Sequence, residues 1–192
     1  MLTIIDYGNT EAQLVTDTLK KLNVEFIISS KEADFLSGDK LILPDSDDIT
    51  SSIKNLHLLN LFSILRMIKK PILGIGTGMH LMCESLKDNE SACLGCFPVE
   101  CESGEQRTVK ESVMLSIIII KSSNLLKGIG EKDKFYFERK CFIPPNDFTT
   151  SIVNMDGKIT SSLEKDCLYG VHFNPEKSGE AGLKILNNFL EL

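Results

Sequence analysis

An α/β fold, built on a mainly parallel sheet with helices on both faces and an antiparallel β extension, is predicted by three features of the sequence. The first half alternates short aliphatic runs with amphipathic stretches of helical period, as strands joined by crossover helices do. A glycine-flanked turn, Gly74-Ile75-Gly76-Thr77-Gly78, separates an aliphatic run from an amphipathic one. From Val113 onward the chain is rich in β segments until a final helical stretch.

Residues 2–7 open the chain as a strand, since Leu2, Ile4 and Ile5 form an aliphatic run. Ala12, Leu14, Val15, Leu19 and Leu22 then recur close to the helical period, with Asn9 or Thr10 placed to cap the helix. Residues 25–29 and 40–43 are short runs bounded by polar turns, the form of buried parallel strands. Helices are predicted over 49–56 and 59–68, a strand over 72–75, and a helix over 79–86. Strands follow at 113–120, 135–137, 149–153, 158–161 and 168–173. The last segment, 178–192, carries Leu183, Ile185, Leu186 and Phe189 on one face, with Ser178 as N-cap.

At 192 residues the chain fits one domain, 1–192, and no repeat, linker or low-complexity tract divides it. Apolar residues are 42% and charged residues 25%, the balance of a globular protein. The net charge of −6 without a Lys/Arg block excludes a nucleic-acid surface, which needs clustered cations. The aliphatic run ending at Ile120 is too short to cross a bilayer, and an acid at position 6 interrupts any secretory apolar region, so no membrane association and a cytoplasmic location are expected. In a reducing compartment the six cysteines are free thiols. Cys93, Cys96 and Cys101 give three soft donors without the fourth that zinc requires, so no metal is expected, and no cofactor is implied.

The strand-turn-helix at Gly76 has the form of a nucleophile elbow, in which the apex residue is held exposed. Five segments then carry a resemblance along nearly the whole chain: Ile4-Ile5-Asp6-Tyr7-Gly8, Leu41-Ile42-Leu43-Pro44, Lys70-Pro71-Ile72-Leu73-Gly74-Ile75, Leu125-Leu126-Lys127-Gly128-Ile129, and Tyr169-Gly170-Val171 through Pro175-Glu176-Lys177-Ser178-Gly179. Together they resemble the glutaminase subunit of imidazole glycerol phosphate synthase, a class I glutamine amidotransferase with a flavodoxin-like sheet. The resemblance implies a Cys-His-Glu triad that hydrolyses glutamine, a place in histidine biosynthesis, and a heterodimer with a cyclase-type (β/α)8 barrel that receives the ammonia.

Placed residue by residue, the resemblance puts the nucleophile at Gly76, the base at Asn174 and the orienting acid at Glu176. Glycine has no nucleophile, and an amide takes no proton near neutral pH. The oxyanion strand of the family corresponds to Pro44-Asp45-Ser46-Asp47-Asp48, where carboxylates would oppose an oxyanion and Ser46 or Asp47 could equally cap the next helix. The glutamine contacts fall on His80 and on Arg139 and Lys140, so Asp45, Asp47 and Asp48 could face two cations across the former cleft. Loss of a nucleophile alone costs on the order of a million-fold in turnover. The expectation is a non-catalytic subunit that docks on or regulates the barrel. The alternative is an amidohydrolase working through another nucleophile. Thr77 should aim away from the cleft, Cys83 should lie on a packed face, and His172 and His80 are more often satisfied histidines than bases.

Overall fold

The structure, a computed structural model, describes residues 1–8, 12–88, 90–103, 112–138 and 141–192. Strand β1 (Leu2–Ile5) leads to helix α1 (Ala12–Lys21), β2 (Phe26–Ser29), α2 (Glu32–Ser37) and β3 (Lys40–Leu43). Two helices follow, α3 (Ile49–Leu58) and α4 (Leu61–Met67), then β4 (Ile72–Ile75) and a short α5 (Thr77–Leu81). The chain next makes β5 (Ser85–Leu86), β6 (Ser91–Ala92), β7 (Glu100–Ser103), β8 (Val113–Leu115), β9 (Ile118–Ile119), β10 (Phe135–Phe137) and β11 (Cys141–Phe142). It closes with β12 (Thr149–Asn154), β13 (Lys158–Lys165), β14 (Leu168–Val171), a 3-10 turn over Pro175–Lys177, and α6 (Gly179–Glu191).

The eight-stranded central sheet has the order β2-β1-β3-β4-β14-β13-β12-β9. The pairs from β2 to β14 are parallel and those from β14 to β9 antiparallel, so the mainly parallel sheet and its antiparallel extension are one surface joined at β14. Period-two alternation sorts the aliphatic side chains onto two faces. Leu2, Ile4, Ile42, Leu73, Ile75 and Val171 pack with Val15 and Leu19 of α1 and Ile185 and Phe189 of α6. Ile5, Leu41, Leu43 and Ile72 pack with Ile53 and Leu56 of α3 and Leu61 and Leu65 of α4. Each fully buried aliphatic side chain contributes about 2 kcal/mol. Among the described residues no helix is long and apolar enough to cross a membrane.

The predicted helix over 79–86 ends instead at Leu81, and Ser85–Leu86 is a strand in a four-stranded sheet of order β11-β7-β5-β6. The apolar spacing continues past Leu81, but the Glu84 and Lys87 amides donate to the carbonyls of Val99 and Cys101 rather than back along a helix. The predicted strand over 113–120 divides into β8, which pairs with β10, and β9, which pairs with β12. Helix α4 starts at Leu61 because Asn60 takes a left-handed conformation at φ 56° after α3 has ended. Ser178 precedes α6 without capping it through its side chain; its hydroxyl accepts from the Tyr136 amide and donates to the Asn174 carbonyl. The caps expected at Asn9 or Thr10 lie outside the described residues.

A candidate glutaminase-like site closed by Asp45

The carboxyl ends of β3, β4 and β14 converge on the predicted elbow. Gly76 leaves β4 with φ 54° and ψ −118°, a backbone conformation that side chains disfavour, and its amide donates to the carbonyl of Val171 at 2.8 Å. Two residues on, Gly78 lets α5 lie against the end of β3, where a Cβ would come within 2.0 Å of the Leu43 carbonyl oxygen. The elbow is thus present in geometry as well as in sequence.

What faces its apex is the carboxylate of Asp45. A Cβ built on Gly76 would lie 2.6 Å from Asp45 Cγ and Oδ1, inside any van der Waals separation. Asp45 Oδ1 accepts from the amides of Ser46 at 2.9 Å and Thr77 at 2.8 Å, and Asp45 Oδ2 accepts from Asn174 Nδ2 at 2.9 Å. Asn174 Nδ2 also donates to Glu176 Oε1 at 2.9 Å, so the amide bridges two carboxyl groups. The reverse orientation of that amide would turn its oxygen onto both of them. Asp45 is 1% exposed and Asn174 fully buried. Asn174 Oδ1 and Glu176 Oε2 have no hydrogen-bond partner among the described residues.

Burial raises the Glu176 carboxyl from its usual 4.5 to about 7, against the lowering effect of the bond from Asn174, and the charge of Asp45 adds to the rise. Burial likewise pushes His172 down to about 4, partly offset by the backbone of Glu138, the charge of Asp45 and the backbone of Thr160. His172 stacks edge-on against His80, Phe137 and Phe142, in an aromatic nest that favours the neutral ring.

The structure therefore brings together Gly76, Asn174, Glu176, Asp45, Ser46 and Thr77. The Thr77 hydroxyl donates to the Ser46 carbonyl at 2.9 Å. Cys83 is buried in the apolar core with its thiol against the Met79 carbonyl. Of the three acids, Asp45 turns inward, whereas Asp47 and Asp48 are exposed. The cap of α3 is Asp48, which accepts from the amides of Thr50 and Ser51, rather than Ser46 or Asp47. Ser46 instead bonds Ser52 across the buried turn at 2.6 Å. Arg139 and Lys140 lie outside the described residues.

Cys83, Cys93, Cys101 and Cys141 share one apolar core. The thiols of Cys141, Cys83 and Cys93, together with burial, push that of Cys101 up, and burial takes Cys96 to about 11. Among the described residues no group of three or more His, Cys, Asp or Glu is arranged to hold a metal ion. An open crevice of about 320 Å³ lies apart from the elbow at the carboxyl ends of β1 and β2, lined by Asp6, Tyr7, Gly8, Ser30, Asn55, Leu58 and Leu59. Sequence reading did not single it out, because its lining residues come from three separated segments.

The strand order, the elbow and the antiparallel extension define the fold of class I glutamine amidotransferases. A solved glutamine amidotransferase matches it with a TM-score of 0.79 over 98% of this chain and 97% of its own, at 14% identity. The chain belongs to the family of imidazole glycerol phosphate synthase subunit HisH: it is 31% identical to that subunit of Bacteroides fragilis (strain YCH46) over 194 residues, covering 100% of this chain and 99% of the relative. It is also 32% identical over 199 residues to subunit HisH 1 of Vibrio vulnificus (strain YJ016), covering 100% and 98%. No family model matches the chain.

Proposed function

We propose that this protein is a non-catalytic member of its family, a cytoplasmic docking or regulatory subunit for a cyclase-type (β/α)8 barrel in histidine biosynthesis. The observation that carries the reading is Gly76 at the apex of the elbow with a buried carboxylate against it. A thiol there would have no room, and the position expected for its base is an amide already committed to two carboxyl groups. Neither Thr77 nor Cys83 offers a replacement, since both side chains are buried and bonded to backbone carbonyls. A partner is supported by exposed apolar surface. Ile118, Ile119 and Ile120 along the sheet edge are 57%, 41% and 47% exposed, and Met114 nearby in sequence is 44% exposed.

The test is ammonia release from glutamine by the purified chain, alone and with a cyclase-type barrel from the same source, with co-elution followed on a sizing column. No turnover above the enzyme-free rate together with a 1:1 complex is expected. Turnover comparable to an active glutaminase would overturn the non-catalytic reading, and the absence of a complex would overturn the docking one.

A further inference from the structure

We infer that Asp45 is the resident ligand of a small carboxylate-binding cradle, and that this cradle takes a free monocarboxylate of formate or acetate size once the Asp45 side chain is removed. The inference deepens the non-catalytic reading and rests on it in one respect, that no substrate displaces Asp45 in the native protein.

The cradle is built from parts distant in sequence. Two backbone amides, of Ser46 and Thr77, aim at one carboxylate oxygen, and the Asn174 side-chain amide aims at the other. Two donors on one oxygen and one on the second are what an ionised carboxylate accepts well. The parts are held independently of the ligand. Thr77 is fixed by the hydrogen bond its hydroxyl donates to the Ser46 carbonyl, and Gly76 by the one its N–H donates to the Val171 carbonyl. The Asn174 backbone is clamped between the Tyr136 carbonyl and the Ser178 hydroxyl. Asn174 Oδ1, fully buried at the same place, has no hydrogen-bond partner among the described residues, which marks the space as polar. Donors that would be orphaned by losing the carboxylate cost enough to favour rebinding of one.

Side-chain size sets which carboxylate fits. Asp45→Gly vacates a methylene and a carboxylate, the volume of acetate, whereas Asp45→Ala vacates the carboxylate alone and leaves a methyl where that of acetate would sit. Thermal unfolding of the wild type and of Asp45→Gly, Asp45→Ala and Asp45→Asn is measured against sodium formate, acetate and chloride at constant ionic strength. Formate should raise the Tm of the Gly and Ala variants with the logarithm of its concentration above Kd, by about 4 °C at roughly ten times Kd, and acetate that of the Gly variant alone. The wild type and Asp45→Asn, whose cradles are full, should respond to none of the three. A Gly or Ala variant that folds but ignores formate, or an equal response in all four proteins, overturns the inference. So does failure of both variants to refold with formate present at about 0.1 M. The readout is binding to the variants, so a failure here is distinguishable from glutamine turnover or the lack of a barrel complex in the native protein.

Discussion

Gly76 and Asp45 exclude each other's alternatives. A side chain at position 76 meets both a left-handed φ and a carboxylate pinned by three donors, so Gly76→Cys should destabilise by about 3 kcal/mol in urea unfolding, from backbone strain and overpacking together. In an Asp45→Gly background only the strain remains. The double-mutant cycle should therefore show about 1–2 kcal/mol of favourable coupling, and strict additivity would mean that the clash is relieved elsewhere. Glu176 supplies a second expectation. Its carboxyl keeps a proton in the folded protein up to about pH 7, while the unfolded chain releases it near 4.5, so the folded state binds more protons in that window. Stability from this group is full at low pH and falls as pH rises through 7. Glu176→Gln has no such proton to lose, so its Tm relative to the wild type should climb by about 5 °C between pH 5 and pH 8. A constant difference would mean that Glu176 is ionised throughout.

Strand β9 is the element on which partner binding should be tested. Ile118 and Ile120 are exposed on the outer edge of the central sheet, where substitution leaves the core intact. Ile118→Lys with Ile120→Lys should keep stability within about 0.5 kcal/mol of the wild type yet weaken a barrel complex at least about tenfold, as read by calorimetry. Undiminished affinity would place the docking surface elsewhere. The elements also show what the residues alone could convey. The parallel strands were legible because burial on both faces makes them continuous aliphatic runs such as Leu41-Ile42-Leu43. Strands β5, β6 and β11 have two residues each, too few to display a period, and β5 was hidden inside an apolar spacing that reads as helix. At the site, the elbow was legible as a glycine-flanked strand-turn-helix, while Gly76, Asn174 and Glu176 were placed only through the family resemblance. The closure by Asp45 could not, since its bond to Asn174 spans 129 positions and depends on a side-chain conformation that no local pattern encodes.

For the molecule as a whole, the strand order places the last strand in the interior of the sheet. β14 lies between β4, its parallel neighbour, and β13, its antiparallel one, and it carries the chain into the Asn174 and Glu176 positions and then α6. The Lys40 ammonium reaches the Leu190 carbonyl, so the end of α6 is tied back to β3. This arrangement matters while the chain is being made. When residue 165 has left the ribosome, every strand but one of the central sheet exists, yet β4 and β13 each present a bare edge and Asp45 has no Asn174 to meet. Synthesis of the final segment joins the two halves and seals the elbow in one event, so a nascent chain stalled just short of it displays two adhesive edges that the finished protein conceals.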